Sequence, residues 1–281
     1  MSQTHTYLIE LNGVTVRHHA AAAGAPPALR ELSVAIAAGE QVAVIGSSGA
    51  GKTTLLHLLG CVLRPGALRP DAGEFKLFGS DPWLLSNAAR HTLRSCLFLA
   101  PQTPPLPPRQ RVITTVLAGR LPQWSLWQAI SSLIKPSDPD AAYQALARFN
   151  LQDKLYERVD RLSGGERQRC GMARLLLSNA KLLLVDEPLS ALDPTLSRQT
   201  LTTLLQEATA RGATLICSLH HVEFARAYFP RIIGLREGRI MFDVRREKVT
   251  DAMVAALYQN EQQAVPVRVF EPLPNIGQIS F

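Results

Sequence analysis

Residues 46–53 constrain the fold of this chain more than any other stretch of its sequence. They read GSSGAGKT, which fits the phosphate-binding pattern G-x-x-x-x-G-K-[S/T], and they follow the continuous apolar run 42–45. A strand that leads into a glycine-rich turn and then a helix lets backbone N–H groups surround a polyphosphate at the positive end of the helix dipole. The pattern therefore predicts an α/β protein that binds a nucleotide in a P-loop.

The residue types in this loop suit particular parts of a nucleotide. Lys52 is expected to place its charge at the β and γ phosphates, and Thr53 to offer its hydroxyl to Mg²⁺. The residues expected to contact the nucleotide are Gly46, Ser47, Ser48, Gly49, Ala50, Gly51, Lys52, Thr53 and Thr54.

Residues 182–187, which read LLLVDE, end a second apolar run with two carboxylates. An in-line attack on a γ-phosphate needs both a metal ion and an oriented water molecule. We expect Asp186 to hold Mg²⁺ through water and Glu187 to polarise the attacking water. The two carboxylates predict that the chain hydrolyses its nucleotide.

Residues 162–169, which read LSGGERQR, indicate a second anion-binding helix start. A single nucleotide does not need two such sites on one chain. This second helix start would be one half of a nucleotide site, and its residues expected to contact nucleotide are Ser163, Gly164, Gly165 and Glu166.

The order of these three motifs resembles that of the ATP-binding cassette (ABC) ATPases, and the resemblance runs from about residue 8 to about residue 260. It implies an α/β P-loop NTPase with a RecA-like core, an N-terminal antiparallel β subdomain and an inserted α-helical subdomain. The implied ATPase domain covers residues 6–260, with the helical subdomain at about 103–178. Residues 261–281 are expected to form a loosely ordered tail.

The same resemblance implies roles for residues outside the three motifs. Gln102 corresponds to the Q-loop glutamine that reaches Mg²⁺ and the attacking water, and residues 190–193 correspond to the D-loop. His220 corresponds to the switch histidine at the γ-phosphate, and we prefer it to His221 because it directly follows the strand. His18 stands where many members stack an aromatic residue on adenine; an imidazole stacks more weakly, so the choice of nucleobase stays open.

One helix beyond the D-loop is predicted from its ends. Asp193 is a suitable N-cap, Pro194 suits the first helical position, and Gly212 is a suitable terminator.

A narrower resemblance is carried by residues 117–127 and 218–225, which look like the ATP-binding subunits of phosphonate importers. Those subunits have a Gly-Arg pair followed by an insertion that contains tryptophan. Trp124 and Trp127 are equally compatible with simple packing in a core. Since a separate binding protein reads the cargo in such systems, phosphonate, phosphate and phosphite would leave the same catalytic residues.

The resemblance also implies partners. Residues 162–169 resemble the signature motif of the family. With one P-loop and one signature motif per chain, ATP should be clamped between two copies, most simply in a homodimer. Integral membrane permease subunits are expected to bind the chain directly. A substrate-binding protein is expected as an indirect partner, and no nucleic acid is expected.

The run 101–108 contains five prolines and must form a loop, but it lacks the aromatic residues expected where the family docks on its membrane subunit. Residues 112–121, just beyond it, have helical spacing.

The composition indicates where in the cell the protein is located. No window of about eighteen apolar residues occurs, and the start of the chain lacks the pattern of a signal peptide. Four widely spaced cysteines suit a reducing compartment, and the net charge of +7 suits an anionic partner without identifying it. We expect a peripheral protein at the cytoplasmic face of the inner membrane.

Other functions remain possible on the sequence. The first alternative is an ATPase of another importer or of an exporter, which would differ in its membrane partner. A soluble ABC ATPase would typically carry a long coiled coil or a second cassette, and neither is present. A P-loop kinase or a small GTPase would leave residues 162–169 unexplained.

Overall fold

The computed structural model describes residues 7–17, 26–62, 72–134 and 136–259. His18, which was expected near the adenine, and the expected tail at residues 261–281 lie outside the described residues. The strands are β1 (Tyr7–Val16), β2 (Leu29–Ala37), β3 (Gln41–Ile45), β4 (Ala72–Leu77), β5 (Leu97–Ala100), β6 (Leu182–Asp186), β7 (Thr214–Leu219), β8 (Arg231–Arg236) and β9 (Arg239–Arg245).

A six-stranded sheet in the order β5-β6-β7-β3-β8-β9 forms the centre of the described chain. Its first five strands are parallel, and β9 pairs with β8 in the antiparallel direction. Every residue of β6 and β7 is buried. Burial on both faces explains why these strands read as continuous apolar runs rather than as alternating patterns.

A second sheet, antiparallel and in the order β2-β1-β4, covers one side of the first. Its strands alternate between buried and more exposed positions, as expected when only one face meets a core. That core includes Ile9, Ile36 and Leu77 together with residues of the P-loop helix and of the central sheet. The predicted antiparallel N-terminal layer is present.

The helices lie on both sides of the central sheet, and four of them form a layer inserted between β5 and β6. They are α1 (Lys52–Leu59), α2 (Asn87–Ser95), α3 (Val112–Leu117), α4 (Leu126–Ile134), α5 (Pro139–Ala147), α6 (Gly164–Leu176), α7 (Pro194–Arg211), α8 (Val222–Tyr228) and α9 (Asp251–Tyr258). The inserted layer consists of α3 to α6. Across the part of the chain that the structure describes, no helix is both long enough and apolar enough to span a bilayer.

The helix predicted at residues 112–121 is shorter than its spacing indicates. The α-helix ends at Leu117, and a 3₁₀ helix continues over residues 118–123. Gly119 lies so close to α6 that a Cβ atom there would be 2.2 Å from the backbone oxygen of Arg174. Close packing at Gly119, followed by Pro122, prevents a regular continuation.

Candidate nucleotide-binding and hydrolysis site

Three neighbouring parallel strands bring their carboxyl ends to one edge of the central sheet. The P-loop follows β3, Glu187 follows β6 and His220 follows β7. In this register Ile45 pairs with Leu219, and Asp186 pairs with Ser218. Motifs that are far apart in the sequence therefore lie side by side, at the edge where open α/β sheets bind ligands.

The P-loop backbone depends on glycine. Gly51, the N-cap of α1, has a φ of 104°, and α1 has no side-chain hydrogen bond at its start. At Gly46 a Cβ atom would be 2.1 Å from the carbonyl oxygen of Leu235 on the adjacent strand. A larger residue would push the loop off the sheet. The uncapped helix start leaves the positive end of the helix dipole facing a ligand site.

Lys52 lies beneath this loop and is only 4% exposed. Its Nζ donates to the backbone oxygens of Gly46 and Ser47 at 2.7 and 2.9 Å, and lies 4.0 Å from Glu187 Oε1. These contacts hold the cation between the loop and the carboxylate.

The carboxylate of Glu187 is where the predicted site residues meet. Its Oε2 accepts a hydrogen bond from Gln102 Nε2 at 2.8 Å, and its Oε1 lies 2.6 Å from His220 Nε2. The side chain is 11% exposed. The structure thus brings Lys52, Gln102 and His220 to the carboxylate of Glu187, although the four residues come from four different segments.

His221, the alternative switch histidine, faces a different neighbour. It is the N-cap residue of α8, and its ring meets Phe224 edge-on with 6.1 Å between ring centres.

Asp186 lies behind Glu187 and is 2% exposed. Its Oδ1 accepts a hydrogen bond from Ser218 Oγ at 2.6 Å, and the same Oγ accepts from the backbone N–H of Glu187 at 2.9 Å. Ser218 therefore ties the two carboxylate residues to β7. Its part was missed from the sequence, where it reads only as one residue of a buried strand.

The oxygen atoms around the P-loop fit Mg²⁺, which prefers oxygen ligands and keeps several waters. Thr53 carries a hydroxyl at the exposed start of α1, and Asp186 presents a buried carboxylate. Because Gln102 donates to Glu187 through Nε2, its Oε1 is the atom that suits a metal. Among the described residues no group of three or more His, Cys, Asp or Glu is arranged to hold a metal.

A cleft of about 650 Å³ opens over these residues. Its lining includes seven of the nine P-loop residues predicted to contact nucleotide, from Ser48 to Thr54, together with Gln102, Glu187 and His220. Arg30, Glu237 and Gly238 also line it and were missed from the sequence. The turn at Gly238 is held there because its backbone N–H donates to Ala50 O at 3.0 Å and its carbonyl accepts from Arg30 N at 2.7 Å. No local sequence signal indicates this contact.

The signature residues Ser163, Gly164, Gly165 and Glu166 do not line that cleft. They form the first turn of α6, where Ser163 Oγ accepts from Glu166 N–H at 3.2 Å and the Glu166 carboxylate accepts from Ser163 N–H at 2.7 Å. The Ser163 N–H bond is the main reason why the pKa of Glu166 lies below its usual value. Within one chain, the two predicted half-sites are separate.

Comparison with known proteins gives both family and fold. A family model described as ABC transporter matches residues 29–190. A phosphonates import ATP-binding protein of Albidiferax ferrireducens is 59% identical over 250 residues, which cover 89% of this chain and 88% of that protein. One from Pseudomonas aeruginosa is 51% identical over 254 residues, which cover 90% and 92% respectively.

Two solved structures support the fold. A dimeric structure of a bacterial ABC transporter cassette matches with a TM-score of 0.70 at 25% identity, covering 85% of this chain and 98% of that one. A dimeric ATP-binding cassette in a post-hydrolysis state, bound to ADP and Pi, has the same TM-score and coverage at 24% identity and bears on the fold alone. The expected fold class is confirmed.

Proposed function

Because the chain belongs to the ABC transporter family and is one of its ATP-binding, ATP-hydrolysing subunits, we propose that it drives import of a phosphonate or a related phosphorus oxyanion. The observation that carries the proposal is the 59% identity to a phosphonates import subunit along 89% of the chain. The gathering of Lys52, Gln102 and His220 around Glu187 supports a working hydrolysis site.

The roles proposed for these residues follow from their positions. The P-loop backbone would hold the phosphates. The Nζ of Lys52, which lies 4.0 Å from Glu187 Oε1, would form an ion pair with the triphosphate instead. Glu187 would accept a proton from the attacking water. Gln102 and His220, already on its two oxygens, would orient that water and contact the γ-phosphate.

We propose that Mg²⁺ joins ATP as the metal cofactor. Thr53, Gln102 and, through water, Asp186 would hold it. When bound, the ion would neutralise charge on the β and γ phosphate oxygens during an in-line displacement.

We further propose that two copies of the chain assemble head to tail around ATP. Ser163, Gly164 and Gly165 lie outside the P-loop cleft of their own chain, so a second chain would have to present them to the γ-phosphate. The dimeric structure of a bacterial cassette that is 25% identical to this chain supports this arrangement. ATP binding would close the dimer, and release of ADP would reopen it.

We propose that the permease contacts the face formed by the proline-rich loop and α4. A groove of about 240 Å³ runs between Pro105, α3 and α4 and is lined by Trp124 and Arg174. On α4 beside it, Leu126 and Trp127 are 77% and 81% exposed. An exposed apolar helix next to a groove suits packing against another protein. This arrangement would hold the chain peripherally at the cytoplasmic face of the inner membrane, with the substrate-binding protein beyond the permease.

The two tryptophans of the phosphonate-importer resemblance have different surroundings. Trp124 packs against the hydrophobic core that α3, α5 and α6 form with the central sheet, whereas Trp127 projects from α4. Simple core packing therefore accounts for Trp124 but not for Trp127, which supports a contact between α4 and a partner.

The hydrolysis role is tested with Glu187→Gln. The amide keeps the shape of the side chain but is a very weak base, so we expect turnover to fall by about 10³-fold or more while ATP binding persists. Steady-state phosphate release and titration with a fluorescent ATP analogue measure the two effects. Retention of near-normal turnover would exclude Glu187 as the base.

The cargo is tested in proteoliposomes that contain the chain, its permease and its binding protein. We expect methylphosphonate to stimulate ATP hydrolysis and sulfate, a similar oxyanion without phosphorus, to have no effect. Stimulation by sulfate alone would overturn the proposed cargo without affecting the ATPase activity.

A further inference from the structure

We propose that Gln168 is a positioning residue for ATP hydrolysis. It holds the backbone of Glu187 and of the turn that follows, and so links the first turns of α6 to the placement of the hydrolytic carboxylate. The inference rests on the proposed role of Glu187. Gln168 does not line the nucleotide cleft, so it would act through Glu187 and not by touching ATP.

The side-chain amide of Gln168 uses both of its polar atoms. The residue is 2% exposed. Its Nε2 donates to the backbone oxygen of Glu187 at 2.8 Å and to Ser190 Oγ at 3.2 Å, while its Oε1 accepts from the backbone N–H of Ala191 at 3.3 Å. A buried amide is costly to leave unpaired, so this set of partners fixes residues 187–191 against α6.

Glu187 needs such support because its backbone is unusual. Its φ is 48°, in the left-handed region that residues other than glycine seldom occupy. The peptide N–H on one side of its Cα is held by Ser218 at 2.9 Å, and the carbonyl on the other side is held by Gln168. Holding both flanking peptide groups fixes φ and ψ, and these angles set the direction in which the carboxylate leaves the backbone.

The packing of α6 makes this support sensitive to the signature motif. A Cβ atom on Gly165 would lie 2.7 Å from the backbone oxygen of Ala191, so the first turn of α6 lies directly against the backbone that Gln168 holds. That turn begins after Ser163, at the half-site proposed to meet the partner's ATP. A shift of α6 when the dimer closes would therefore move the Glu187 backbone in the same chain.

The first test is Gln168→Met, which keeps the length of the side chain and removes its three hydrogen bonds. We expect kcat to fall by about 10–100-fold, since a small misplacement of a catalytic group has effects of this size, while the KM for ATP stays within about two-fold because the P-loop is unchanged. A kcat within about two-fold of wild type in a folded variant would overturn the proposal.

The matched control is Gln199→Met on α7. Gln199 is half-buried, and its amide accepts from Asn150 Nδ2 at 2.9 Å and donates to Arg148 O at 3.3 Å, away from the cleft. We expect this variant to keep the kcat of the wild type. An equal loss of kcat in both variants would mean that the Gln168 effect is a general loss of stability, which also overturns the proposal.

A second variant separates positioning from folding. In Gln168→Glu an ionised carboxylate cannot donate to the Glu187 carbonyl, whereas a protonated carboxyl can. The ratio of variant to wild-type kcat should therefore rise as the pH is lowered from about 8 to about 6, because burial favours the protonated form. The ratio for Gln199→Glu should stay flat. A flat or falling ratio for Gln168→Glu would contradict the proposal even if Gln168→Met fails to fold.

Parallel measurement of Glu187→Gln keeps this inference distinct from the proposed function. If Glu187→Gln abolishes turnover and the Gln168 variants do not alter kcat, the base assignment stands and the positioning role is wrong. If Glu187→Gln retains turnover, the base assignment itself is wrong, and the inference falls with it.

Discussion

The N-termini of α1 and α6 are both proposed to bind the phosphates of ATP, but they are built in opposite ways. The start of α1 has Gly51 in a left-handed conformation and no side-chain cap. The start of α6 has a reciprocal pair of bonds in which Ser163 and Glu166 each accept from the other's backbone N–H. No side chain caps the start of α1, which suits the binding of a ligand there, whereas Ser163 and Glu166 cap the start of α6.

Charge separates the two sites further. Lys52 places a nearly buried cation at the P-loop, but Glu166 places a carboxylate at the signature turn. Because the Ser163 N–H bond lowers its pKa, that carboxylate is ionised at neutral pH and would repel a triphosphate. The P-loop should therefore bind ATP in a single chain, while the signature turn should engage ATP only when a second chain delivers it.

The largest effect is expected from Lys52→Ala. Removing the cation leaves the triphosphate without its main charge partner in the cleft, so we expect ATP affinity to fall by about 100-fold or more. Titration with a fluorescent ATP analogue measures the loss of affinity. The charge-matched control is Lys76→Ala, at an exposed position of β4. Unchanged affinity in Lys52→Ala would contradict the assignment of the P-loop as the site that binds ATP alone.

The signature turn is tested by Ser163→Ala. This change removes the Oγ that accepts from Glu166 N–H and that is proposed to reach the partner's ATP. We expect kcat to fall by about 10–100-fold while ATP binding by the single chain is unchanged. Phosphate release and size-exclusion chromatography with ATP provide the measurements. A loss of ATP affinity instead would mean that the two sites are not separate.

A smaller effect is expected from a matched pair of glycines in the same turn. A Cβ atom on Gly165 would meet Ala191 O at 2.7 Å, but one on Gly164 would meet nothing within 4 Å. Gly165→Ala should lower the free energy of unfolding by about 1–2 kcal/mol through this clash. Gly164→Ala should be neutral or raise it by up to about 1 kcal/mol, because alanine favours the helix. Urea unfolding checks both, and equal values would show that α6 is not packed on the D-loop backbone.

The smallest effect is expected from Glu166→Gln, which keeps the reciprocal cap but removes the negative charge. We expect the ATP-dependent dimer to be about two- to five-fold tighter, because less like charge faces the triphosphate. Analytical ultracentrifugation with ATP measures this change. A weaker dimer would show that the Glu166 charge assists assembly.

The same variant has a pH signature in stability. Since the pKa of Glu166 is lowered in the folded chain, its ionised form stabilises the fold above the ordinary glutamate pKa. That contribution is lost as the pH falls through the lowered pKa. Wild type should therefore exceed Glu166→Gln in stability at neutral pH by a few tenths of a kcal/mol, about the size of a solvent-exposed ionic contact, and should lose this advantage in acid.

Local patterns predicted much of the fold. The helix expected after Asp193 begins at Pro194 and ends at Arg211, with Gly212 following at a φ of 62°, because caps and terminators act within one turn. The strand-turn-helix around the P-loop is equally local. The length of the helix expected at residues 112–121 was overestimated. Gly119 packs against the backbone of α6, which is distant in the sequence, and this contact ends the helix early.

The amino-acid sequence by itself determined which segments carry phosphate-binding and carboxylate chemistry, since glycine conformations, caps and apolar runs depend on neighbours along the chain. Only the tertiary structure decided that Gln102 and His220 meet at the Glu187 carboxylate, that the Gly238 turn lines the cleft, and that Gln168 holds the backbone of a left-handed glutamate. Such contacts depend on strand order and on the packing of a helix against a distant turn, and residue spacing along the chain does not encode either of them locally.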